Sequence, residues 1–170
     1  MNRRQLLLVT IGSLMAASSG RLVYAEEHND PALIKLMGDA KITLQQGLTA
    51  AAQQGQPISA KFEVEDGKLQ LSVYTAKDGK FSEVVVDYAT GKVAKSEPIT
   101  EGDDFTAAKA QSAAMAKAKT DLKTAADKAA AQAAGSRAVS VTPALKGGHA
   151  VASVTLLSGQ QVKTVEEPLD

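Results

Sequence analysis

KITLQQGLTAAAQQGQPISAKFEVEDGKLQLSVYTAKDGKFSEVVVDYATGK, residues 41–92, is the stretch that decides the fold. Thr43 is a good helix N-cap, and Gln46 stands three residues later, as a capping box requires. Leu44, Leu48, Ala51 and Ala52 then recur at helical spacing until Gly55 and Pro57 end the run. Period two takes over at once. Ile58, Ala60, Phe62 and Val64 fall on one face, and Ser59, Lys61, Glu63 and Glu65 on the other. Asp66-Gly67 and Asp78-Gly79 are hairpin signals, with alternating residues between them and a third strand over residues 81–88. Alternation with one apolar face predicts an antiparallel sheet that is covered on one side, by the preceding helix, and wet on the other. The class is α+β.

The same order recurs downstream. Residues 97–104 are acidic, contain Pro98 and Gly102, and read as a linker. Residues 105–134 are alanine-rich and helix-forming, with a break at Thr120-Asp121, where a capping residue precedes Leu122. Strand-like runs follow over 138–145, 150–157 and 161–166, with turns at Gly147-Gly148 and Ser158-Gly159. Gly55, Gly67 and Gly79 lie 80 residues before Gly135, Gly147 and Gly159 (135 − 55), which argues for duplication of one supersecondary unit. The expected organisation is a flexible lead-in at 26–40 with one helical turn over 31–37, a first unit at 41–97, a linker and helix at 98–119, and a degenerate second unit at 120–170.

The helix, the hairpins and the closing turn of Asp87, Thr90 and Gly91, followed by Val93, resemble the PepSY domain family. The second copy has the helix and hairpins without that turn, so its sheet is expected to be short of a last strand and to leave an open edge. The resemblance implies two cystatin-like units, each an amphipathic helix laid on a small curled antiparallel sheet. It also implies an extracytoplasmic location, because PepSY modules occur in propeptides of thermolysin-type proteases, where they are linked to inhibition, and as freestanding envelope proteins.

The first residues read as a signal peptide. Arg3 and Arg4 precede a twelve-residue apolar run at 6–17, and Val23-Tyr24-Ala25 places short side chains before a cleavage point after Ala25. Twelve residues are too few for a bilayer, which needs about 20, so no membrane anchor is expected after cleavage. Arg3-Arg4-Gln5-Leu6-Leu7 fits a twin-arginine signal as well as the general secretory route. Both routes deliver the chain to a bacterial periplasm or beyond. The chain carries 19 basic and 19 acidic residues, and losing Arg3, Arg4 and Arg21 leaves 16 against 19, about −3. That balance argues against nucleic acid and against a polybasic membrane patch. There is no cysteine, so packing alone must stabilise the fold.

No residue set reads as catalytic, cofactor-binding or metal-binding. His28 and His149 lack companion ligands at zinc spacing, and no serine sits in a nucleophile elbow. Asp87, Thr90 and Gly91 are singled out only as the family turn, where an aspartate serves local backbone amides. Glu101, Asp103 and Asp104 suit a helix N-terminus better than calcium, and Lys109, Lys117, Lys119, Lys123 and Lys128 read as a wet helical face. The expected function is an exported, non-enzymatic binding or regulatory protein without cofactor. It acts by contact with an envelope protein or peptidase, through exposed strand faces and edges, and protease inhibition is one form of that contact. The alternative is a small-molecule or metal carrier of the periplasm.

Overall fold

Seven strands hydrogen-bond into one antiparallel sheet in the computed structural model, which describes residues 30–170. The expected signal peptide, with Ala25, and His28 lie outside the described residues. Helix α1 (Pro31–Leu36) and a 3₁₀ turn (Met37–Asp39) lead to α2 (Leu44–Ala51). Four strands follow: β1 (Gln56–Glu65), β2 (Lys68–Lys77), β3 (Lys80–Val86) and β4 (Val93–Ile99). Helices α3 (Gly102–Met115) and α4 (Leu122–Ala131) precede β5 (Arg137–Lys146), β6 (His149–Ser158) and β7 (Gln161–Pro168). The spatial order is β4-β3-β2-β1-β5-β6-β7. The two runs of hairpins therefore form one continuous α+β sheet, joined where β1 meets β5, and not two small sheets.

Local chemistry sets the element ends. Thr43 Oγ1 accepts from the Gln46 amide at 3.2 Å while Gln46 Oε1 accepts from the Thr43 amide at 2.8 Å, a complete capping box on α2. Asp121 caps α4, its Oδ1 accepting from the Thr124 amide at 2.7 Å. The β1–β2 hairpin turns on Asp66 and Gly67 (φ 50° and 75°), and β2–β3 turns on Asp78 and Gly79 (φ 51° and 73°). Two positive φ angles in succession are what a two-residue hairpin loop matched to strand twist demands.

The second run of hairpins copies the first at a spacing of 81 residues. The register steps by one at Ile58 in β1 and at Val139 in β5, two bulges 81 apart (139 − 58). At the seam, Ala60 pairs with Val141, its own counterpart, and Lys61 pairs with Ser140, so a local twofold runs through the Ala60–Val141 pair. The glycine spacing of 80 is thereby corrected. Gly147 (φ 56°) occupies the place of Asp66, Gly148 (φ 86°) that of Gly67, and Gly159 (φ 59°) that of Asp78. Both central positions of such a turn need positive φ, so glycine fits either one and its position slips by a residue. The helices keep the correspondence. Tyr88 O accepts from the amides of Lys41 and Ile42 just before α2, and Leu169 O accepts from those of Lys119 and Thr120 just before α4.

One face of the sheet, the front, carries the core. Phe62, Leu71, Val73, Val84 and Val86 from the first half, with Val141, Val154 and Leu156 from the second, meet α1, α2 and α4. Residues 30–39 belong to this core: Leu33 and Met37 are buried in it, and Arg137 donates from Nη1 to Met37 O at 3.1 Å and from Nη2 to Ile42 O at 3.0 Å. The expected flexible lead-in is thus, from residue 30 onward, a packed element, because Leu33, Leu36 and Met37 share a helical face. The expected linker is also taken up: β4 runs through Pro98 to Ile99, and α3 begins at Gly102.

Helix-to-sheet volume is balanced differently in the two halves. Gly47 of α2 lies so near β2 that a Cβ there would stand 2.4 Å from Leu71 Cδ2. The corresponding positions in the second half are Ala125 and Ala152, both fully buried. Gly47→Ala adds helix propensity of about 1 kcal/mol but overpacks against a buried leucine at about 1–3 kcal/mol. The expected result is net destabilisation in chemical denaturation, reversed in part by adding Leu71→Val. Leu169 is fully buried, with its amide donating to Ala150 O at 2.9 Å. Leu169→Ala should cost about 2–5 kcal/mol through the cavity it leaves, read from the same denaturation curves.

Candidate binding surface

The back face of the sheet, expected to be wet, is crossed by α3. Alternation from the register puts Ser59, Tyr74 and Phe81 on this face. Phe105 of α3 packs edge-on against Phe81, with centroids 5.7 Å apart at 68°, and Ser59 Oγ donates to Gln111 Oε1 at 2.8 Å. An alanine-rich helix that begins beside β4 and must deliver Asp121 to the front has this route across the back, and Phe105 fastens its first turn. Ala108 is buried beneath it.

The two flanks of α3 differ. Toward β2 and β3 the space is occupied by Tyr74, Phe81 and Phe105. Toward β5, β6 and β7 lies a groove of about 530 Å³, open to solvent, whose lining includes Ala107, Ala110, Thr142, Ser153, Thr155 and Thr164. The local twofold explains the difference. Thr142, Thr155 and Thr164 hold the places of Lys61, Tyr74 and Glu83, each 81 residues earlier (155 − 74), so three long side chains become three short ones. The groove is hydroxylated and electrically neutral: the Thr155 and Thr164 hydroxyls are 3.2 Å apart, and Glu166, the charged residue of the lining, pairs with Lys146.

The back face of the first half is closed by polar contacts. Ser72, fully buried, has its Oγ 2.7 Å from Glu63 Oε1 and 2.8 Å from Glu83 Oε1, and accepts from Gln70 Nε2 at 2.9 Å. Lys61 pairs with Glu63 at 2.7 Å. A single hydroxyl proton serves one carboxylate at a time, so this patch ties β1, β2 and β3 together by exchange among neighbours.

Residues singled out in the sequence are dispersed. Asp87 Oδ1 accepts from the amides of Ala89 and Thr90 at 2.9 and 2.6 Å and from Thr90 Oγ1 at 2.9 Å, while Gly91 turns the chain at φ 74°. The Thr90 contacts hold the Asp87 carboxyl below its ordinary 3.8. His149 begins β6, where its Nδ1 lies 2.6 Å from Asp170 Oδ2, a contact that lowers the Asp170 carboxyl. Asp103 and Asp104 sit in the first turn of α3, and Glu101 precedes it without a side-chain cap bond. Lys109 lies over the Phe105 ring at 5.7 Å, and Lys123 pairs with Asp127. No group of three or more potential metal ligands occurs among the described residues. None of their helices is long and apolar enough to cross a membrane.

The β7 edge is shielded. No described strand pairs with its outer side, yet Lys163 and Glu167 point to the front, Glu167 is buried and accepts from Gln132 Nε2 at 2.8 Å, and Pro168 ends the strand. Inward charge and proline are common means of discouraging strand addition. The groove beside α3 is the better surface. Its trace in the sequence is the run of hydroxyls, Ser140, Thr142, Ser153, Thr155 and Thr164, at alternate positions of three strands. No family model matches this chain, and no curated protein and no solved structure matches it either.

The Asp87 turn gives a pH prediction. A carboxylate held lower in the folded chain adds stability that is fully present above its ordinary 3.8 and is lost as pH falls through the folded value. Asp87→Ala should therefore lower stability at neutral pH and flatten the acid limb of the stability–pH curve below about pH 4. Thermal melts at half-unit pH steps check both.

Proposed function

We propose that the protein is an exported, non-enzymatic binding protein that works by contact with another protein of the cell envelope, a peptidase or another envelope component. The observation that carries this reading is the neutral groove between α3 and the back of β5–β7, framed by a helix and three strands. Aromatic and aliphatic anchors of protein partners favour such surfaces, with a polar surround. Arg3-Arg4, the apolar run at 6–17 and the short residues before Ala25 support export. The matched bulges, hairpins and helix approaches support descent from one duplicated PepSY-like unit, with the Asp87, Thr90 and Gly91 turn kept in the first copy.

A second reading, a small-molecule carrier, draws on the groove volume, which falls within the roughly 300–1,000 Å³ range of ligand pockets.

A photo-crosslinking residue at Thr164, inside the groove, and another at Lys128, on the outer face of α4, separate the outcomes in living cells. One recurrent envelope protein captured from position 164 and absent from position 128 is the expected result. Capture of the same abundant proteins from both positions would remove the protein-contact reading.

A further inference from the structure

The two flanks of α3 supply an internal template for what the groove accepts. On the first flank, the back-face position between β1 and β3 is taken by the Tyr74 ring, which packs against the core alongside Phe81 and Phe105. On the second flank, the same backbone position holds Thr155, and Phe81 is replaced by Val162. The backbone register around both positions is the same: Tyr74 pairs with Ser59 and Glu83, and Thr155 pairs with Ser140 and Thr164. Thr155 is itself buried and forms the floor of the groove, so the volume that the Tyr74 ring takes in one half is in the other half shared between neighbouring side chains and the groove above that floor.

We infer that the groove receives an aromatic side chain from the partner protein, seated over Thr155 where the fold's own first half seats Tyr74. The inference rests on the protein-contact reading and deepens it. Alanine methyls from α3 would lie against one face of the ring, and Ala110 is of the right size to leave it room. The Thr142, Ser153 and Thr164 hydroxyls line the mouth, where a phenol or indole N–H finds acceptors, as buried tyrosine and tryptophan ordinarily require. Charge selects in the same direction. With Glu166 already paired to Lys146, the lining offers no unneutralised partner for a lysine, an arginine or a carboxylate. An uncharged ring loses little on leaving water and gains the full apolar contact.

The test uses short blocked peptides with a central tyrosine, tryptophan or leucine, with N-acetyl-tyrosinamide as the free-ligand control, each added to the full isotope-labelled chain. Amide shifts at Ala107, Ala110, Thr155 and Thr164 report occupancy of the groove. Aromatic peptides should bind about two- to tenfold more tightly than the leucine peptide, through the larger ring area and the hydroxyl acceptors of the lining. Thr155→Tyr, which restores the first half's residue at a buried position, should push a ring into the groove and abolish those shifts while leaving the circular dichroism unchanged. Equal binding of leucine and aromatic peptides overturns the inference, as does absence of groove shifts at millimolar peptide. If Thr155→Tyr leaves the partner captured from position 164 undisturbed, the aromatic anchor is wrong while protein contact stands. If N-acetyl-tyrosinamide binds as tightly as the peptides, the ligand is a free aromatic compound, and both the anchor and the protein-contact reading fall.

Discussion

The pairing of Ala60 with Val141 is the constraint on which the rest of the molecule depends. It is the seam of the sheet, short enough that only the adjacent Lys61–Ser140 pair continues it in register. Two runs of hairpins become one seven-stranded sheet only because both strands offer free edges at that point. The bulges at Ile58 and Val139 stand just before the seam on each strand, where an extra residue bends and twists the strand. Both seam residues are small or β-branched and fully buried or nearly so. Helices from both halves can then approach each other across the front, and α2 touches α4 there. Two thin cores become a single one. Without disulfides, this merger is the means by which an alanine-rich chain buries enough apolar surface to hold a fold.

The sequence was most legible where a local rule had one solution. The Thr43–Gln46 capping box, the Asp-Gly hairpins and the alternation of β1 and β2 all need only near neighbours, and all stand where the pattern placed them. The repeat was legible, but its spacing was off by one residue. Glycine satisfies either central position of a hairpin turn, so matching glycine to glycine aligned Gly67 with Gly147, whereas the backbone aligns it with Gly148. The shift matters because a one-residue slip exchanges the two faces of a strand. With a spacing of 80, Tyr74 would correspond to Val154 on the front; with 81 it corresponds to Thr155 in the groove.

What the sequence hid were long-range choices. Nothing in Phe105 or in the alanines after it states which face of the sheet α3 will cross, since its apolar residues form no strong stripe. The choice follows from connectivity: α3 leaves the end of β4, whose Ile99 is opposite Phe81, and Phe81 points to the back. In the same way residues 30–39 look dispensable by composition, yet they are held by a guanidinium from β5, a residue about a hundred positions away. Burial lowers the pKa of Arg137 below its ordinary value, and the Met37 and Ile42 carbonyls compensate the buried charge.

The two halves of the sheet present corresponding back faces, and the position of α3 makes them unequal. The helix is fastened on one side by an aromatic pair and a serine–glutamine hydrogen bond, and at its far end by the Asp121 cap that starts α4. On the groove side α3 also packs against β5 and β6, and Gln111 itself lines the groove, so the helix is held from both flanks. The groove on the second flank therefore lies between elements that already pack on each other. That is preorganisation in its simplest form, because binding cost falls when the receiving surface already has its bound shape. The back of the first half is closed by its Glu63–Ser72–Glu83 contacts and its Tyr74 ring, and the back of the second half carries the groove. Short side chains at three positions, Thr142, Thr155 and Thr164 in place of Lys61, Tyr74 and Glu83, mark the difference between the two back faces.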